Sequence, residues 1–378
     1  MGLLTNHPIA LAPAMGHNFF FAYTICIGMG ISWQIALGAN FISGILFALL
    51  CLFPFARCFV DMVPLSIKNA IAVGIGLLIA LVGLQWGGVV IAKQGTMIGL
   101  GELNKSYTLL TLIGIITTSI LLAFRIRGAL LIGIILNAVL GVFMGLIKYQ
   151  GVVSLPPSII PTFLKMQPYG AWKENLLMII FVFFFLDIFD TVGTLIGIGQ
   201  QAGFIKGGKL TKARRSLFSD ALGTIFGTAM GTSTVTSYIE STAGIVAGAR
   251  TGLAAVVCGI CFLLSIFFYP LIKMIGGGVT IGNDVFHPVI APALILVGSF
   301  MLKNVKLIDW EDPTEAIPAF LTLIIMPLTF SITEGISFGF ISYFLLKLFS
   351  GKVKELNPLI SIFTVLFILR YLFVFSRF

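Results

Sequence analysis

Most of the chain is written in apolar runs too long and too continuous for a half-buried strand or the narrow stripe of a surface helix. They recur at the length of about 20 residues that crosses a bilayer. Spans are predicted at 34–54, 66–92, 107–124, 128–148, 174–202, 213–230, 252–272, 286–303, 315–331 and 334–350, while 357–375, which carries Arg370, reads as a span or an interfacial helix. One stretch contradicts its surroundings. Gly231 to Gly248, GTSTVTSYIESTAGIVAG, sets seven Ser/Thr residues around a lone carboxylate, Glu240. Its β-branched, hydroxylic run Thr232 to Ser237 predicts a short extended piece. The small residues after Ser237 predict a helix start, with Glu240 in the first turn where the macrodipole favours an acid.

Residues 7–30 repeat this plan. Pro8 and Pro13 disfavour a helix before Ala14, so the aromatic run behind them also reads as an extended piece followed by a half-length helix. Extended backbone at membrane depth must line a protein-buried, partly wet cavity, because hydrocarbon cannot satisfy its N–H and C=O groups. Two such breaks, one in each half, point to an inverted-repeat transporter with its site at the midplane. Facing half-helix N-termini would offer N–H groups and positive dipole ends to a polar solute. The polar, Pro-rich connection 149–173 divides the chain. Residues 1–150 then read as a first repeat, 151–173 as the link, 174–356 as the second repeat and 357–378 as a C-terminal apolar helix.

Composition narrows the class. Of 378 residues 58% are hydrophobic and 10% charged, which excludes a soluble domain and predicts an all-α polytopic protein surrounded by membrane lipid. The net charge of +9 is no nucleic-acid signal, since Lys and Arg stand singly or in short clusters between apolar runs. With Met1 cytoplasmic, the cytoplasmic loops hold 15 Lys and Arg against 6 on the other side, which favours that orientation, in a cell membrane. Cys258 and Cys261 are spaced CxxC inside an apolar helix without a second ligand pair, so packing is expected there and no metal or other cofactor.

Four carboxylates fall inside apolar stretches: Asp187, Asp190, Asp220 and Glu240. An ionisable group at membrane depth is a functional candidate by default. Asp190, followed by Thr191, Gly193 and Thr194, is favoured as a site residue able to take up a coupled proton. Asp187, one turn earlier, serves either packing or gating, and Asp220 is expected to be structural. In the first break Asn18 suits the edge of a heterocycle because an amide both donates and accepts. His17 beside it and Gln85 are further candidates. Phe19, Phe20 and Phe21 mostly pack, with one ring free to stack on a planar ligand.

At these residues the chain resembles the nucleobase–cation symporters, in the branch of AzgA-like hypoxanthine/guanine/adenine permeases. The stretches that carry the likeness are NHPIALAPAMGHNFFFAYT, VPLSIKNAIAVGIGLLIALVGLQ, FLDIFDTVGTLIGIGQQAG, GTSTVTSYIESTAGIVAGARTGL and AIPAFLTLIIMPLTFSITEGISFGFISYFLLKL, which cover most of the chain in order. The resemblance implies fourteen spans in two inverted repeats of seven, with core and gate domains, and strand-plus-half-helix third and tenth spans. It implies a purine bound by an eighth-span acid matching Asp190, a tenth-span Glu matching Glu240 and a third-span Asn matching Asn18. Backbone N–H groups near Phe19 and Ile239 would meet ring acceptors.

Two departures stand out. Met1 to Leu4 resembles the end of the family's second span, so the resemblance implies that the first two spans are absent and that the repeat 1–150 is incomplete. Ala14 stands where the family has Gly, and His17 where an apolar residue precedes the Asn. The expected function is proton-coupled uptake of a purine nucleobase by alternating access, with a homodimer left open. An inorganic anion transporter of the same fold is disfavoured by two acids at the site, and an intramembrane aspartyl protease by the lack of a GxGD motif. A non-transporting fragment is the third alternative.

Overall fold

The computed structural model describes residues 1–14, 17–18, 20–53, 63–93, 95, 97–126, 128–173, 176–206, 209–282 and 284–375. Among these, five helices are long and apolar enough to cross a membrane: Trp33–Leu52, Leu65–Trp86, Ser106–Ala123, Ile179–Gly199 and Leu253–Gly276. Shorter apolar helices include Ala129–Phe143 and Pro313–Thr329. The chain divides into two compact units, one of residues 1–74, 158–259 and 304–378, the other of 75–157 and 260–303. Each unit draws on both halves of the sequence.

The first unit contains both broken segments. Its strand β1 (Leu11–Pro13) pairs antiparallel with β2 (Val235–Ser237), in the register Leu11 to Ser237, Ala12 to Thr236 and Pro13 to Val235. Both predicted extended pieces therefore exist, and each satisfies the other. A helical segment follows each strand: Phe20–Gly28, wound wide with π-type hydrogen bonding, and the short helix Ser241–Val246. Around this ribbon stand α1 (Trp33–Leu52), α2 (Leu177–Ala202) and α3 (Ala213–Met230). The core between them is apolar and small-residue rich, with Ile25, Ala36, Ala39, Ile180 and Phe183 fully enclosed. Phe20 meets Phe183 edge-on at 5.5 Å and Phe21 lies 6.4 Å from the same ring, so both serve packing.

The same unit holds α4 (Pro313–Thr329), α5 (Ile332–Phe349) and α6 (Pro358–Phe375). Their few charges are matched. Lys347, with only 1% of its side chain exposed, reaches Glu355 at 2.6 Å and Glu315 at 2.9 Å. Asp312 caps the start of α4 through the Thr314 N–H and bonds Lys352 at 2.5 Å. The Lys352 ammonium beside it, then the Thr314 donors, hold the Asp312 carboxyl well below the usual carboxylate range. Arg370, the odd cation of the last apolar segment, pairs with Glu334, whose other oxygen takes the Tyr371 hydroxyl. A charge in an apolar helix is tolerable when it is paired in this way.

Close approach of α4 and α5 depends on small residues. A Cβ built on Gly339 would stand 2.1 Å from Thr322 Oγ1, and one on Gly335 2.2 Å from Met326 Cγ. The Gly-x-x-x-Gly spacing thus lets the two backbones meet, as small residues do between membrane helices. Gly339→Leu is expected to lower stability by about 1–3 kcal/mol, the usual cost of overpacking. Gly259, with open space around it, serves as control. Thermal melts in detergent check this; equal melting of the Gly339 and Gly259 variants would remove the helix-contact argument.

In the second unit the helix Leu65–Trp86, which enters it at Ile75, ends earlier than its apolar pattern suggests. Gly88 takes φ +70°, and the chain continues as the hairpin Val90–Lys93 with Met97–Leu100 rather than as helix to residue 92. A second hairpin pairs Val279–Ile281 with Asp284–Phe286, so the predicted span at 286–303 begins as a helix only at Ala291.

Candidate functional site

The Ser/Thr run of the second break is accounted for residue by residue. In a membrane interior each backbone or hydroxyl group left unpaired is costly, so a strand there needs partners on every side. Ala14 N–H donates to the Thr234 carbonyl and Tyr238 N–H to the Ala10 carbonyl, both at 2.9 Å, which extends the ribbon beyond its register pairs. Ala10 N–H donates to Ser241 Oγ at 3.0 Å, and the Tyr238 hydroxyl donates to the Pro13 carbonyl at 2.7 Å. Thr224 of α3 closes the last gap, donating to the Val235 carbonyl at 2.9 Å and accepting from its N–H at 3.3 Å. Because the strands are antiparallel, the two helical segments start at opposite ends of the ribbon and leave it in opposite directions.

The side chains of β2 and its approach then bind the acids and amides. Ser233 donates to Asn18 Oδ1, which ties one break to the other. Thr234 donates to Asn40 Oδ1 at 2.8 Å. Ser237 donates to Asp220 Oδ1 at 2.9 Å, and Thr191 of α2 to Asp220 Oδ2 at 2.5 Å. Thr224 also reaches Asp187 Oδ2 at 3.3 Å. Asp220, fully buried, joins α2, α3 and β2, and Asp187 lies equally deep. Asp220 holds the scaffold, whereas Asp187 keeps Oδ1 unpartnered among the described residues.

Asp190 stands apart from them. Its Oδ2 lies 3.6 Å from Nδ1 of His17 on the first break, and the Thr236 hydroxyl bonds its carboxyl. Thr194 turns its hydroxyl back to the Asp190 carbonyl, the local bond expected of a threonine within a helix, and so is spent on the backbone. Asn18 is exposed and Glu240 half-buried, whereas His17, Asp190 and Ile239 are buried. The arrangement combines an accessible amide and carboxylate with a buried imidazole and acid around one ribbon.

The structure thus brings His17, Asn18, Asp187, Asp190, Thr194, Ile239 and Glu240 into one unit around one ribbon. Gln85 belongs to the other unit, in the last turn of Leu65–Trp86. Phe19 lies outside the described residues. One detail differs from the sequence reading: the short helix begins at Ser241, so Glu240 occupies the turn that precedes it rather than its first turn. Thr191 and Thr236 belong to the polar patch and the hydroxylic run that the sequence singles out, but their partners were not legible there. Asn40 and Thr224 were missed: their only sequence signal is polarity within an apolar run, which many helix-facing polar residues share.

Comparison with known proteins sets this geometry in a family. Residues 1–355 match Xan_ur_permease, the "Permease family". MJ0326 of Methanocaldococcus jannaschii is 47% identical over 376 residues, covering 99% of this chain and 84% of that protein. Adenine permease AdeP of Escherichia coli is 40% identical over 99% of this chain and 82% of its own length. Guanine/hypoxanthine permease PbuG of Bacillus subtilis is 42% identical over 99% of this chain and 83% of its own. Among solved structures, the transmembrane domain of the cyanobacterial bicarbonate transporter BicA matches 87% of this chain and 84% of that domain, with a TM-score of 0.59 at 15% identity. At that identity the likeness concerns the fold alone. The chain therefore belongs to this permease family: it is a multi-pass membrane transporter, not an enzyme, built on the seven-plus-seven inverted-repeat fold.

Proposed function

We propose that the protein takes up purine nucleobases (adenine, hypoxanthine or guanine) by proton symport with alternating access. The observation that carries this reading is the half-buried Glu240 carboxylate at the break, with the exposed Asn18 amide tied to the same ribbon through Ser233. A purine presents ring and exocyclic N–H donors on one edge and ring-nitrogen acceptors on another. Glu240, acceptor-only when ionised, meets the donors; the Asn18 amide and the Ile239 backbone N–H meet acceptors. An analogue lacking a donor would leave the carboxylate unpaired, which gives selectivity. The substrates of AdeP and PbuG support the same class. The bias of Lys and Arg among the loops supports a cytoplasmic first residue in a plasma membrane.

The test is uptake of radiolabelled adenine, hypoxanthine and guanine by cells lacking their own purine permeases, with sulfate in parallel. Saturable purine uptake abolished by a protonophore is expected. Sulfate uptake without purine uptake would replace this reading by the anion transporter. Asp190→Asn should retain purine binding within about tenfold but lose most of the protonophore sensitivity, because an amide hydrogen-bonds yet takes up no proton. Undiminished sensitivity in that variant would remove Asp190 as the coupling group.

A further inference from the structure

We propose that His17 and Asp190 act as one proton-holding pair, a single exchangeable proton being shared between the imidazole of the first break and the carboxylate of α2. The inference deepens the reading above and rests on it for its link to transport.

The chain has three histidines, and two are held in the usual way. His7 Nδ1 lies 3.2 Å from Ser216 Oγ, and His287 Nδ1 3.0 Å from the Gly276 carbonyl. His17 is different. Its side chain is 1% exposed, neither ring nitrogen makes a well-formed hydrogen bond among the described residues, and its polar neighbours are the Leu186 backbone and Asp190, both on α2. A neutral imidazole carries one donor and one acceptor, and burying both unused is unfavourable. The other two histidines are each held by one well-formed bond, whereas His17 has only the long approaches of the Leu186 backbone and Asp190. Asp190 Oδ2 lies 3.6 Å from Nδ1. That separation is slightly beyond a hydrogen bond and closes with a small rotation of either side chain.

The charged surroundings come from every neighbouring element and are acidic. Asp187 lies one turn before Asp190 on α2, Asp220 faces from α3, and Glu240 and Tyr238 follow β2. Asp220 spends both oxygens on the hydroxyls of Thr191 and Ser237, while Asp187 has the Thr224 hydroxyl 3.3 Å from Oδ2 and its Oδ1 unpartnered among the described residues. Asp190 is the acid that stands beside an imidazole, so a proton held there can pass between two groups on two elements. With the proton aboard, the pair is neutral overall, as carboxylic acid with imidazole or as carboxylate with imidazolium. When the proton leaves to water, one net negative charge remains among further acids, in a setting where like charges are poorly screened. Reloading by a proton is then favoured before the next cycle. Sodium fits less well, since hard cations take oxygen ligands and one neighbour here is an imidazole.

The experiment is infrared difference spectroscopy across a pH series on the purified 378-residue chain, with isotope-labelled histidine to separate the ring bands. It uses the parent, His17→Gln, His17→Leu and Asp190→Asn, each checked for folding by thermal melting. In the parent, a ring band and a carboxylic-acid band are expected to titrate with one midpoint. Asp190→Asn should remove that carboxyl band and move the ring midpoint. Whichever His17 variant remains folded should move the carboxyl midpoint by about one pH unit or more, a tenfold change in proton affinity, and the pH profile of adenine uptake should move with it. An unmoved carboxyl midpoint in the folded His17 variant, or a ring that does not titrate in the parent, overturns the pair. If the bands titrate together but the parent transports no purine, the pair stands and the purine reading falls.

Discussion

Glu240→Gln is expected to cut purine uptake by at least about a hundredfold while the protein remains folded in the membrane. The carboxylate can only accept, and a purine edge offers it N–H donors. The amide keeps the shape but points two donors of its own into the same space, so one former hydrogen bond becomes a donor–donor contact. Hydrogen bonds to a charged group contribute about 1.5–3 kcal/mol each. Weakening two of them amounts to roughly 3 kcal/mol or more, about a hundredfold at 1.4 kcal/mol per factor of ten. Folding should be spared because the break is secured by its neighbours. Tyr238 N–H and Ser241 Oγ hold the ribbon at Ala10, and the Tyr238 hydroxyl holds it at Pro13. Initial uptake rates, normalised to protein in the membrane fraction, check the prediction together with a melting curve. Uptake near the parental rate would take Glu240 out of the site.

The two breaks were legible because they violate the composition around them. Pro8, Pro13 and the hydroxylic run from Thr232 are foreign to a lipid-facing helix, and the demand for backbone partners turns that into a prediction of extended chain. Their mutual pairing was not legible. Nothing local in Leu11–Pro13 says that its partner is Val235–Ser237, more than two hundred positions away, because three-residue strands carry almost no register signal. Asp190 and His17 could each be singled out as polar groups in apolar context, but only the fold places one beside the other. The overlong reading of 66–92 has a similar origin: Val89 to Ala92 is as apolar as the helix before it, and an apolar run does not reveal whether it continues as helix or turns into strand. Gly87 and Gly88 mark the turn, yet glycine is common within membrane helices and so signals little there.

Asp220→Ala should be the most damaging single change to stability, larger than any change at Asp190. Asp220 is fully buried and accepts from Thr191 at 2.5 Å and Ser237 at 2.9 Å, so one side chain joins α2, α3 and β2. Alanine removes both acceptors at once and strands two buried hydroxyls, and it leaves a cavity at the ribbon. Breaking a buried charged network from one side typically costs about 3–5 kcal/mol. Relief of repulsion with Asp187 offsets part of this, so roughly 3 kcal/mol is expected to remain, a large share of the 5–15 kcal/mol that holds a typical domain. Asp220→Asn separates hydrogen bonding from charge. Its carbonyl still accepts from Ser237, and its amide can donate to Thr191 if that hydroxyl turns round, with Thr236 Oγ1 at 3.4 Å ready to take the displaced proton. The Asn variant should therefore recover all but about 1 kcal/mol, an ordinary hydrogen-bond difference. Melting temperatures in detergent and monodispersity on size exclusion give the comparison. If Ala melts like Asn, the hydroxyls find other partners and Asp220 is not the anchor. If both collapse together, it is the negative charge that the ribbon requires, and the hydrogen bonds alone do not explain why a carboxylate stands there.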